Sequence, residues 1–115
     1  MARMSASPST VDFNDEIYCF YQGKGNSGEL WYTILRENRW GGEHKVPRTT
    51  LSAEPSAVVF HSKIYCFHQG KGNSGELWYN VLDGERWGDD QKVPDTSLSA
   101  GPSAVVINQR IYCFH

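Results

Sequence analysis

A chain of 115 residues and 13.0 kDa is the size of one domain. Its net charge of −2 and the lack of any Lys/Arg run leave no electrostatic footprint for nucleic acid or an anionic membrane surface. Nothing approaches the roughly eighteen consecutive apolar residues of a membrane span. Met1, Ala2, Arg3, Met4 and Ser5 do not open a signal peptide, so the expected location is the cytoplasm, or outside the cell by a route the sequence does not display.

Residues 4–16 (MSASPSTVDFNDE) are a worn version of a segment met again at 51–63, LSAEPSAVVFHSK. Residues 17–63 and 64–110 then align without a gap and agree at 31 of 47 positions. A third copy opens at Ile111 with IYCFH, where the sequence stops. The expected organisation is a single fragment, 1–115, with a first repeat at 4–50, a second at 51–97 and a redundant half-repeat at 98–115.

Each period predicts four short strands, seen most clearly in the second copy. Ser56–Phe60 is apolar and β-branched, bounded by Pro55 and the polar His61, Ser62 and Lys63. Residues 64–68 are aromatic and stop at Gly70. Residues 76–81 follow a Gly-rich loop and run into Asp83-Gly84, a hairpin signal. A weaker, more polar fourth strand is expected over 86–93, closed by Pro94. No stretch shows a useful 3.6-residue apolar period.

Four strands in a period of this length, graded from apolar to polar, predict an all-β fold of β-propeller blades with four antiparallel strands each. The inner strand should be buried on all sides. A β-trefoil, also built from repeats of similar length, is the rival. Two blades cannot close a ring and leave apolar faces open, so either the chain is cut from a longer protein or copies assemble. Assembly is the expectation, three chains giving six blades, with residues 102–115 able to swap into a neighbour in place of 8–22.

The run I-Y-C-F-H-Q-G-x-G-x-x-G-x-L-W-Y-x-x-x-D-G-x-x-W at 64–87 resembles the repeat of bacterial and fungal propeller lectins. The fucose-binding and Photorhabdus-type lectins are nearest, and the tectonin and tachylectin types more distant. The resemblance covers nearly the whole chain twice. It implies sugar pockets between adjacent blades, with a Trp or Tyr against the ring and polar side chains on its hydroxyls. Where the fucose-binding pattern often has an Arg, this repeat has Lys24 and Lys71.

The residues give an independent pointer. The loop at 22–28 recurs letter for letter at 69–75, and the connections containing Val46-Pro47 and Val93-Pro94 recur closely. These belong to one end of the strands. The turns of the other end (14–16, 61–63 and 108–110, with 36–38 and 83–85) drift freely. A repeated site at the constant end is the functional reading, and the bland one is a glycine loop held by its backbone. A sugar needs a flat apolar platform and fixed hydroxyl partners. Trp31 and Trp78 are the candidate platforms, with Tyr32 and Tyr79 or Trp40 and Trp87 as alternatives, although blade aromatics also serve as core. Glu29 and Glu76 lie on the same side of the strand as their Trp. Gln22, Asn26, Gln69 and Asn73 offer both donors and acceptors.

Other chemistry is not indicated. Lys71 sits in G-K-G-N-S-G, which lacks P-loop spacing and a following helix. The Asp83-Gly84-Glu85-Arg86-Trp87 echo of a sialidase box has Arg36 at the first position in the other copy, and no carboxylate pair suits glycoside hydrolysis. Cys19, Cys66 and Cys113, 47 residues apart, are expected as buried free thiols, and His68 and His115 either as strand ends or as site residues, with no metal role. No enzyme activity and no cofactor are expected. The functional expectation is a multivalent carbohydrate-binding lectin whose partners are glycans and further copies of the chain. The alternative is a structural or protein-binding propeller.

Overall fold

The structure, a computed structural model, describes residues 8–23, 28–51, 54–70, 75–94 and 101–114. Their strands form three antiparallel sheets, and no helix occurs among the described residues. The first sheet holds β1 (Ser9–Phe13), β2 (Glu16–Gln22), β3 (Glu29–Arg36), β4 (Arg39–Trp40) and β5 (His44–Thr50). The second holds β6 (Ser56–Phe60), β7 (Lys63–Gln69), β8 (Leu77–Asp83), β9 (Arg86–Trp87) and β10 (Gln91–Lys92). The third is the hairpin β11 (Ser103–Ile107) and β12 (Arg110–Phe114).

Tight turns set these registers. Asn14 and Asp15, Glu37 and Asn38, His61 and Ser62, and Asn108 and Gln109 all have positive φ, the type I′ geometry that suits the twist of a two-residue hairpin. Gly84 (φ 65) alone leads the β8–β9 turn, as in type II′. The expected fourth strand is broken in both copies. β4 and β5 both pair with β3, and β9 and β10 both pair with β8. At the break, the Gly41 and Gly88 N–H groups bond back to the Ile34 and Val81 carbonyls, turning the chain off the ladder.

The sheets stack face to face. Alternation in the first sheet puts Phe20, Leu30 and Tyr32 on one side. These pack against Ile64, Cys66, Leu82 and Trp87 of the second sheet. Trp87 stands edge-on to Phe20, with ring centroids 5.9 Å apart, and tilts over Tyr32 at 5.8 Å. The far side of the second sheet (Phe67, Leu77, Tyr79) packs in turn on Ala104, Val106, Ile111 and Cys113.

β1, β6 and β11 lie side by side. Ser9 Oγ accepts the Ala57 N–H at 3.0 Å, and Ser56 Oγ accepts the Ala104 N–H at 2.9 Å, the same bond one repeat later. Among the described strands, β6 has an inner strand on both flanks, β1 on one and β11 on the other. The expectation of an inner strand buried on all sides is met only in part: β6 buries Ala57 and Val58 but leaves Ser56, Val59 and Phe60 half-buried, and β11 leaves Val105 and Ile107 exposed.

The drift between copies is coupled. Glu16 pairs with Arg36 in the first sheet, and the equivalent positions in the second hold Lys63 and Asp83, an ion pair of reversed sign at 3.7 Å. Likewise Tyr21 donates its hydroxyl to Glu43, and one repeat on His68 Nε2 meets Asp90 Oδ1 at 2.8 Å. His68 is thus no bare strand end: its side chain is fully buried.

Candidate functional site

β3 and β8 present the same arrangement at their N-terminal ends. Glu29 and Trp31 share a side of β3, and the β3–β5 register sets Lys45 opposite Trp31. The Trp31 indole Nε1–H donates to Glu29 Oε1 at 3.2 Å, and Lys45 Nζ reaches Glu29 Oε2 at 3.1 Å. In the second sheet Lys92 faces Trp78, Trp78 Nε1–H donates to Glu76 Oε1 at 3.2 Å, and Lys92 Nζ lies 2.9 Å from Glu76 Oε2. Each carboxylate thus holds an ammonium on one oxygen and an indole on the other. The lysine bond, then the indole bond, lowers the pKa of both Glu29 and Glu76 below the ordinary 4.5. The two indoles are half-buried, with the charged groups around them partly exposed.

The structure brings Glu29 with Trp31 and Glu76 with Trp78, as expected from strand alternation. It sets Gln22 and Gln69 apart from their own Trp. They stand opposite Leu30 and Leu77, on the other side of each sheet, and are only 3% and 4% exposed. Asn26 and Asn73, with Lys24 and Lys71, lie outside the described residues, as does His115. The lysines Lys45 and Lys92 were missed. Their sequence signal is the K-V-P tripeptide preserved in both copies.

The loop and the connection expected to share an end do meet in the first copy, where the Leu51 N–H bonds to the Gly28 carbonyl at 2.9 Å. Gly28 has φ +77, and an added Cβ would stand 3.4 Å from that Leu51 carbonyl oxygen. The glycine there is a backbone requirement.

The two copies of the site differ in what flanks them. Trp78 lies on the side of the second sheet that faces the first, two residues from Asn80, whose Nδ2 donates to Thr49 Oγ1 of β5 at 2.6 Å. Trp31 lies on the opposite side of the first sheet, beside the buried Tyr21 and Thr33, against which no other described sheet packs. A separate cleft of about 690 Å³ lies at the other end of the second sheet, among Lys63, Tyr65, Asp83, Arg86 and Trp87, with Pro47 of the first.

Among the described residues no group of three or more His, Cys, Asp or Glu is placed to hold a metal ion. The cysteines are free. Cys66 is buried as expected, whereas Cys19 and Cys113 are only half-buried: Cys19 faces away from the second sheet, and Cys113 belongs to a two-stranded hairpin. Burial raises all three thiol pKa values. Comparison with protein-family models and with curated proteins finds no match.

Proposed function

We propose that the chain is a carbohydrate-binding lectin of the β-propeller type, with repeated shallow sugar sites between blades and multivalency through assembly. The observation that carries this reading is the Trp–Glu–Lys arrangement. It recurs at the same point of both sheets with matching hydrogen bonds, at the end where the loop sequence is unchanged. The indole offers an apolar face to the C–H side of a sugar ring. The carboxylate oxygens accept from hydroxyls, and the ammonium donates to them. What supports the propeller is the side-by-side order of β1, β6 and β11 and the face-to-face stacking of successive sheets.

A glycan array probed with the labelled chain tests the reading. Binding to a defined glycan class is expected, lost when Trp31→Ala and Trp78→Ala are combined and weakened by Glu29→Gln with Glu76→Gln. Each lost hydroxyl contact costs about 0.5 to 1.5 kcal/mol. An array that stays blank while the chain remains folded would leave the protein-binding scaffold as the better account.

A further inference from the structure

His68 and Asn80 lie on the side of the second sheet that faces the first. The β7–β8 register pairs His68 with Trp78 and Cys66 with Asn80, which makes His68 and Asn80 diagonal neighbours on that side. Both are fully buried, at 0% and 1% exposure. His68 Nε2 meets Asp90 Oδ1 at 2.8 Å, and Asn80 Nδ2 donates to Thr49 Oγ1 of the first sheet at 2.6 Å. Each side chain keeps one buried polar atom, His68 Nδ1 and Asn80 Oδ1, that finds no hydrogen-bond partner among the described residues. The first repeat has Tyr21 and Thr33 at these positions, bonded to Glu43 and to the Gly41 carbonyl. The second repeat thus departs from the first at two neighbouring places, and each departure leaves an unsatisfied atom. Unpaired buried polar atoms are costly, so the pair points to one shared cause.

We propose that His68, Asn80 and Thr49 form a proton-controlled relay between the two sheets. The charge on His68 sets the orientation of the Asn80 amide. The amide in turn sets whether the Thr49 hydroxyl bonds within the first sheet or to the second. Asn80 Oδ1 only accepts, whereas His68 Nδ1 donates in the imidazolium and accepts in the neutral ring that keeps its Nε2–H on Asp90. With the imidazolium, Nδ1–H donates to Oδ1 and the row Asp90, His68, Asn80, Thr49 is complete, the Thr49 hydroxyl donating on to the Pro47 carbonyl at 3.1 Å. When Nδ1 gives its proton to solvent, two acceptors are left with no donor between them. Half a turn of the amide exchanges its oxygen and nitrogen without changing its shape. Nδ2–H then donates to Nδ1, and Oδ1 takes the Thr49 hydroxyl proton away from Pro47.

Among the described residues, the titratable groups on the facing sides are Asp90 and Cys66 in the second sheet and Tyr18, Tyr32 and His44 in the first. Asp90 holds the imidazole directly. Burial pushes the Cys66 thiol up, so it stays neutral. Tyr32 and His44 lie ring on ring, with centroids 5.1 Å apart. Glu76 and Lys92, beside Trp78, are bonded to each other. Because His68 stands opposite Trp78, the relay adjoins the second copy of the candidate site. The first copy has Tyr21 there, whose hydroxyl burial pushes up, so it keeps its proton on Glu43. The two copies therefore differ in their response to pH, whatever they bind.

Side-chain NMR of the 115-residue chain across about pH 5 to 8, where an imidazole ordinarily changes charge, tests the relay. As the pH rises, His68 should pass from the imidazolium to the neutral ring with its proton on Nε2. The Asn80 amide and the Pro47 carbonyl carbon should shift with the same midpoint. Asn80→Asp supplies a charged acceptor in either orientation, so it should hold the imidazolium and move the His68 transition up by about one pH unit or more. A His68 ring that keeps one form throughout would overturn the relay. So would an Asn80 amide or a Pro47 carbonyl that stays still while His68 titrates, or an Asn80→Asp chain that folds and titrates like the parent. The parent spectra decide even where the buried carboxylate of Asn80→Asp prevents folding.

Discussion

The first two sheets are nearly one sequence folded twice, and they differ chiefly in their neighbours. Ile64 is fully buried and Ile17 is 39% exposed, although both open the same I-Y-C-F strand. Cys66 is buried and Cys19 half-buried. Residue type and strand propensity are matched across these pairs, so burial here is a property of the stack and not of the repeat. An isolated repeat of this kind carries the pattern of a core without having one.

The largest expected effect that sharpens this contrast is in hydrophobic truncation. Ile64→Ala should destabilise the chain by about 2 to 4 kcal/mol in urea unfolding, against less than about 1 kcal/mol for Ile17→Ala at a concentration where the chain is single. Equal losses would show that the first sheet is already covered. Next come the paired polar positions. Asp90→Ala, which leaves the buried His68 without its acceptor, should cost about 1 to 3 kcal/mol. His68→Tyr combined with Asp90→Glu would import the first sheet's pair, and should recover about 1 kcal/mol relative to the sum of the single changes. No coupling in that cycle would mean that the two pairs are independent drift.

The thiols give a smaller and more direct reading. Cys66 should react with a maleimide far more slowly than Cys19 or Cys113 in the native chain, because it is covered and its thiolate is disfavoured by burial. All three should react alike in denaturant. Cys66→Ala should cost about 1 to 2 kcal/mol. Fast native labelling of Cys66 would contradict the packing of the second sheet on the first.

The smallest effect lies where the two sheets agree. Glu29 and Glu76 have lowered pKa values, so their contribution is present above the unfolded-state value. It begins to fade as the pH falls through the ordinary 4.5 and is gone once the pH is below the lowered folded-state value. Both side chains are more than a third exposed, so stability should hardly respond. Carboxyl NMR titrations should show both midpoints below 4.5, and a midpoint at or above it for either would remove the Lys–Glu–Trp arrangement in that sheet.

Much of the strand layout was legible because its signals are local. Ser56–Phe60 was bounded by Pro55 and a polar turn, and the structure returns the same limits. Alternation was enough to put Glu76 beside Trp78. The break between β9 and β10 was not legible, because it depends on Gly88 bonding back to Val81 across the sheet. Partnerships between distant positions were also hidden. Position 21 with 43, and 16 with 36, change in step between the copies, yet each residue read alone looks like free variation at a strand end. The burial of Gln22 and Gln69 escaped for a related reason. Their sequence neighbours are a Gly-rich polar run, whereas their spatial neighbours are the leucines opposite them.

The serine bonds along the inner strands have a consequence for how such a chain can lengthen. Ser9 serves the backbone of the next repeat and Ser56 that of the one after, so every junction has a giver and a receiver and the stack has a direction. An insertion of one whole 47-residue unit recreates a giver and a receiver at both of its borders. An insertion of another length within the inner strand offsets the serine from the amide it meets. Growth by duplication is thereby quantised, with the unit of inheritance measured by a single hydroxyl.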